Sequence, residues 1–213
     1  MRWIFFGIFF LLITGQSNFI FAQNESSFKK FRQLPCPEKC WVMKHPFIAK
    51  KAWKLTQQSL HITDSILSCG IIGKDANGGK VDAFRHAYWM AMLAQKFGKH
   101  RALSLGKAHE KSDYRDYKKH RKEDGTFPDK ISSDMDLWNN KLGADLGASC
   151  REIENKIIQE MIINAINDGM LKIIKKNKSG RFLDANGNII DPKELKGKWK
   201  NNKCLVNSNA TYD

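Results

Sequence analysis

The chain has 213 residues, of which 36 are Lys or Arg and 22 Asp or Glu, for a formal charge of +14. That length allows one sizeable domain with an ordinary core. The excess positive charge draws the protein toward polyanions such as nucleic acid, acidic polysaccharide or anionic lipid headgroups. By itself it chooses none of them, because a solvated lysine-rich surface has the same balance.

The first residues, MRWIFFGIFFLLITG, set one positive charge before an apolar run that ends near FIFA at the small residue Ala22. This is the pattern of a secretory signal peptide over residues 1–22. Gly15, Gln16 and Asn18 break the run, which leaves it short for a span needing about 20 residues. Cleavage after Ala22 would leave 191 of the 213 residues and, with only Arg2 lost among charged groups, take +14 to +13. The expected location is secreted or periplasmic, and no second transmembrane candidate follows. Cys36, Cys40, Cys69, Cys150 and Cys204 would all enter an oxidising compartment, so at least one disulfide is expected, with its pairing open. Cys36 and Cys40 lack the second close Cys or His pair that a zinc site needs.

Residues 23–45 read as a cysteine-containing arm, with Pro35, Pro37 and Pro46 punctuating a loop. The spacing of Phe47, Ala49, Ala52, Trp53 and Leu60 predicts an amphipathic helix to about His61. A shorter turn over 66–69 follows, capped by Thr63 or Asp64 and closed by Gly70. The segment GKDANGGK at 73–80 fails the phosphate-loop spacing and reads as a glycine-rich turn. Helices are predicted over 81–97 and 101–114, with the basic run 107–123 as a solvated helix end and loop. Ser132 or Ser133 caps a further helix through Asp136, which Gly147 interrupts. Ile153, Ile157, Ile158, Met161, Ile162, Ala165 and Ile166 mark a core helix ending near Gly169. Residues 46–170 thus form the helical core, and 171–213 a basic tail with a hairpin around Asn186-Gly187. There, Asp184, Asn186 and Asn188 resemble the start of a calcium loop, but Ile189 stands where Gly is required and the closing Glu is missing. The expected fold is all-α, a single helical domain with a small C-terminal β-hairpin appendage.

Chemistry gathers on three helix faces. Asp82 and His86 are four apart with Arg85 beside them, His109 and Asp113 are four apart with Glu110 between, and Asp136, Asn139 and Asn140 recur at three and four. The apolar residues around them, as in VDAFRHAYWMAML, leave little room for a solvated face, so His86 is expected in a cleft or buried. Buried imidazoles and carboxylates must pair with one another or hold a metal. The first option gives a structural network within a non-catalytic binding module. The second gives a divalent-metal site that lowers the pKa of bound water. In it His86, Asp113 and Asp136 are metal ligands and His109 and Glu110 the candidate proton acceptors. Arg85 holds an anionic group, Asn139, Asn140 and Trp89 contact substrate, and Gly143 allows close backbone approach. A Cys-His hydrolase pairing Cys69 with His86 or His109 is the weaker alternative, and no Gly-x-Ser-x-Gly elbow is present.

The strings AFRHAYWMAML, AHE and MDLWNNKLG resemble an uncharacterised bacterial domain family with Arg-His-Ala-x-Trp, Ala-His-Glu and Met-Asp-Leu-x-Asn-Asn motifs. It occurs in secreted proteins and at the C-terminal ends of large toxin-like proteins. The likeness covers about residues 75–147 and maps onto Arg85, His86, Trp89, His109, Glu110, Asp136, Asn139 and Asn140. It implies a mostly helical exported domain and no established reaction. The family often has His where this chain has Trp138, which would mark an altered member if that His serves a site. A looser likeness, with Glu110 in place of Asp, links His86, His109-Glu110 and Asp136 to metal-dependent phosphohydrolases. The expected activity is an exported hydrolase acting on an anionic polymer, nucleic acid or membrane lipid, either assisted by a divalent metal ion or metal-free with His109 as general base oriented by Asp113 or Asp136; the alternative is the non-catalytic binding module.

Overall fold

A computed structural model describes residues 29–122, 127–150 and 152–210. The expected leader and its cleavage point at Ala22 lie outside the described residues. The elements in chain order are α1 (Cys36–Lys44), α2 (Pro46–Cys69), α3 (Lys80–Phe97), α4 (Lys99–Lys118), α5 (Lys130–Ser149), α6 (Asn155–Asn167), β1 (Lys172–Ile174), α7 (Pro192–Leu195) and β2 (Leu205–Asn207). The protein is mostly helical with a small antiparallel pair near its C-terminus, as the periodicity predicts. Among the described residues no helix is long and apolar enough to cross a membrane.

Helix α3 is the centre of the molecule. Val81, Phe84, Ala87, Tyr88, Met90, Ala91 and Leu93 are all buried, so apolar groups surround its axis as in a helix enclosed by others. Helices α2, α4, α5 and α6 pack against it. On one side Phe84, Tyr88 and Met92 share a core with Ile158, Ile162 and Ile166 of α6 and with Leu171 and Ile173. On another, Met90 and Leu93 pack with Trp41 of α1, Leu105 of α4 and Ala144 of α5.

The α3–α5 contact is backbone to backbone. A Cβ at Gly143 would fall 2.0 Å from the Ala87 carbonyl oxygen, and one at Gly147 2.1 Å from that of Ala91. These glycines, four apart, form a groove on α5 that receives the α3 backbone. Gly147 therefore does not interrupt the helix, which runs on to Ser149.

Other boundaries also differ from the sequence reading. The expected loop around the first cysteines is helix α1, because Pro37 sits in its first turn, where a missing N–H costs nothing. Helix α2 runs unbroken to Cys69: Thr63 does not cap a new turn but donates its hydroxyl to the Ser59 carbonyl within the helix, at 2.9 Å. Gly70 closes α2 in the left-handed region at φ 69°, as expected. The cap of α5 is Asp129 rather than Ser132 or Ser133, with Oδ1 accepting from the Ser132 amide at 2.9 Å. Its Oδ2 accepts from Lys203 Nζ at 2.6 Å, which ties the tail to the start of α5.

In the tail, a tight turn does sit at Asn186-Gly187, flanked by a bridge between Leu183 and Ile189. The paired strands lie further out, with Lys172 opposite Asn207 and Ile174 opposite Leu205. Ile173 and Ile174 are buried, whereas residues 185–189 are exposed, so hydrophobic burial favours the outer pairing.

The expected disulfide is not formed: all five cysteines are free thiols. They are spread over α1, the end of α2, the residue after α5 and the tail, and Cys150 is buried with its Sγ 3.7 Å from Met161 Sδ.

Candidate functional site

The site begins at the glycine-rich turn before α3. The Gly78 amide donates to Asp82 Oδ2 at 2.6 Å, so the Asp82 carboxylate reaches back over the first helical turn. Gly78 is at φ 75°, and a Cβ there would approach Ile174 Cδ1 to 2.8 Å. Strand β1 holds this turn in place, since the Ile174 amide donates to the Gly78 carbonyl at 2.7 Å. The tail thereby positions Asp82 through the loop.

One helical turn on, His86 is buried. Its Nε2 lies 3.3 Å from Asp136 Oδ1 on α5 and 3.7 Å from Asp82 Oδ1. Its Nδ1 lies 3.3 Å from Asn140 Oδ1, also on α5. Arg85 Nη2 bonds Asp82 Oδ1 at 2.7 Å and stands 3.5 Å from His86 Nε2. Asp82, His86 and Asp136 each direct one potential ligand atom into a common space.

Helix α4 supplies a second group. His109, Glu110 and Asp113 also bring potential ligand atoms together, and Glu110 and Asp113 are buried. Glu110 Oε2 accepts from Ser133 Oγ of α5 at 2.9 Å. His109 Nδ1 lies 3.1 Å from Glu38 Oε1 of α1, and its ring is 6.2 Å from that of His86. The charges of Asp82, Glu110 and Asp113 all act on Asp136, so the two groups adjoin. A cleft of about 50 Å³ opens onto them, lined by Asn77, Asp82, Arg85, Asp113, Ser133 and Asp136 among others. It has room for a few waters or for one anionic group of a larger molecule.

Burial, then the nearby charges of Arg85 and His109, hold His86 well below the ordinary imidazole range, against the raising effect of Asn140. Burial, then the charges of Asp82 and Glu110, push Asp136 well above the ordinary carboxylate range. Arg85 opposes that rise and Asp113 adds to it. The stability consequences have opposite signs. Below pH 6.5 the unfolded chain protonates its histidine while folded His86 does not, so stability falls on acidification. Asp136 contributes stability below pH 3.8, where both states hold the proton, and loses it as pH rises toward its folded pKa. Exchanging His86 for Asn removes the first effect. The gap in melting temperature between wild type and His86→Asn is therefore expected to narrow from about pH 7 to about pH 5, as thermal melts in a pH series would show.

Of the residues singled out from sequence, Arg85, His86, His109, Glu110, Asp113, Asp136 and Asn140 come together. Asp113 groups with His109 and Glu110, and Asp82 stands beside His86 and Asp136 in its place. Asn139 is not at a rim: it is fully buried, and its side chain both donates to the Lys172 carbonyl at 3.0 Å and accepts from the Lys172 amide at 2.9 Å. It fixes β1 to α5. Trp89 packs edge-on against His109 at 5.6 Å, with Nε1 donating to Thr56 Oγ1 at 2.9 Å, so it buttresses the imidazole. Trp138 is half exposed, bonds the Met170 carbonyl and lies under Lys172, away from the cleft lining. Gly143 makes its close approach to the α3 backbone rather than to a ligand. Glu38 was not singled out from the sequence, and Ser133 was read only as a helix cap; its position three before Asp136 on one helix face could have signalled its place in the site.

No curated protein and no solved structure matches the chain. Over residues 39–170, which hold every residue of the cluster except Glu38, the chain matches the model described as a domain of unknown function, DUF6973, and it belongs to that family.

Proposed function

We propose that the protein is an exported hydrolase, assisted by a divalent cation, that acts on an anionic polymer or lipid. The leader sequence supports export. The observation that carries the reaction is the meeting of buried His86, Asp136 and Glu110 behind a charged Arg85 at the mouth of a small cleft. Arg85 holds a phosphate or carboxylate group of the substrate by charge-assisted hydrogen bonds. A divalent cation there would supply Lewis acidity to a water, and Glu110, with His109 beside it, would accept the proton. The excess positive charge brings a polyanionic substrate to the cleft.

A second reading has its own observation. The links Asn140–His86, Ser133–Glu110 and Glu38–His109 join α5 to α3, α5 to α4 and α1 to α4, so the same cluster also holds helices together. In that reading the protein is a non-catalytic binding module with a basic surface.

The purified protein should release product from RNA, from a linear polyphosphate ester or from anionic phospholipid vesicles. For the substrate that responds, Arg85→Met is expected to raise KM by about tenfold, the loss of one charge-assisted contact. An unchanged KM would remove Arg85 from substrate binding.

A further inference from the structure

We propose that Asp82, His86 and Asp136 bind one divalent transition cation of the zinc type. The assignment rests on the metal-assisted reading above and names the ligands of that cation. His86 Nε2 is 3.3 Å from Asp136 Oδ1 and 3.7 Å from Asp82 Oδ1, and the three ligand atoms lie within 4.8 Å of one another. Bonds of about 2.1 Å to a common ion place ligand pairs about 3.4 Å apart in a tetrahedron and about 3.0 Å apart in an octahedron. The two separations that include His86 are within a few tenths of an ångström of the tetrahedral value.

A second observation bears on the imidazole. Asn140 Oδ1 stands 3.3 Å from His86 Nδ1, and with the ring hydrogen between them Nε2 would turn its lone pair toward the two carboxylates. A lone pair facing carboxylate oxygens is repulsive unless a cation or a proton stands between them. An acceptor behind the far nitrogen is the usual device for orienting a metal-ligating histidine. Asn140 comes from α5, one turn beyond Asp136, so one helix supplies both a ligand and the orienting group.

The third observation is Asp136 itself, 9% exposed, whose Oδ1 has no hydrogen-bond donor although it points into this space. Arg85 flanks the same point and supplies one positive charge but no lone pair, so a cation would share Asp82 with it. An imidazole nitrogen among the donors favours a zinc-type ion over magnesium or calcium, which take oxygen.

Chelator-stripped protein titrated with zinc ions in a calorimeter tests this, with a thermal melt of each variant to show that it is folded. Wild type should bind zinc at one site that Asp82→Asn, close in shape, and His86→Ala both abolish. Asn140→Ala should bind about 10- to 100-fold more weakly. Glu110→Gln, which removes a neighbouring charge but none of the three ligands, should still bind zinc at one site. Zinc binding unchanged in folded Asp82→Asn, or lost instead in Glu110→Gln, overturns the assignment. So does folded wild type that binds no zinc, in which case a proton on Asp136 separates the groups. Zinc bound without any product would leave this site standing and sink the hydrolase reading, and product formed by folded wild type that binds no zinc would do the reverse, leaving a hydrolase that works without this cation.

Discussion

Gly143→Ala is expected to be among the most damaging single substitutions in the protein. The new methyl group would fall 2.0 Å from the carbonyl oxygen of Ala87, far inside van der Waals contact, and the obstacle is backbone rather than a side chain that could rotate away. Helices α3 and α5 would have to separate, which also loosens the packing of Ala144 against Met90 and Leu93. The cost should exceed about 3 kcal/mol, the upper end for overpacking. For a domain of this size that is a fall in melting temperature of at least roughly 6–12 °C. Thermal unfolding by circular dichroism checks it, and a variant melting within a degree or two of wild type would show that the helices do not pack this closely. The same separation would carry Asp136 and Asn140 away from His86, so the contact that stabilises the fold also assembles the site.

Much of this was legible in the sequence. The run VDAFRHAYWMAML has apolar residues on every side, and a helix of that kind must be enclosed, which is what α3 is. The three- and four-residue spacings placed Asp82 with His86, Glu110 with Asp113 and Asp136 with Asn140 on single faces, and enclosure of α3 then drew those faces together. What spacing could not show is which partner each face would meet. Asn139 and Asn140 are adjacent and alike, yet one bonds the backbone of β1 and the other an imidazole, because a step of one residue turns the helix by about 100°. Glu38 was hidden because Pro35 and Pro37 read as loop punctuation, although a proline in the first turn is compatible with a helix. The tail's grip on Asp82 through Gly78 is a backbone hydrogen bond, which any pair of residues could make.

Glu110→Gln should cut the rate of product release by about 100-fold or more, the usual contribution of a positioned base, while the protein stays folded. Glutamine keeps the shape of the side chain, and its carbonyl can still accept from Ser133 Oγ, so the link between α4 and α5 survives. What is lost is a charge and a proton acceptor. The Glu110 charge is among the causes that push Asp136 above the ordinary carboxylate range, and its removal relieves that repulsion. The melting temperature should therefore stay level or rise, the trade between stability and activity typical of functional carboxylates. If the cluster only braced the helices, the same substitution would leave any release of product unchanged. The most direct measurement is initial rate and melting temperature on one preparation of Glu110→Gln beside wild type, with RNA and anionic vesicles as substrates. The account predicts product from wild type, about 1% of that rate or less from the variant, and an equal or higher melting temperature. No product from wild type on any such substrate, or a variant as active as wild type, would contradict it.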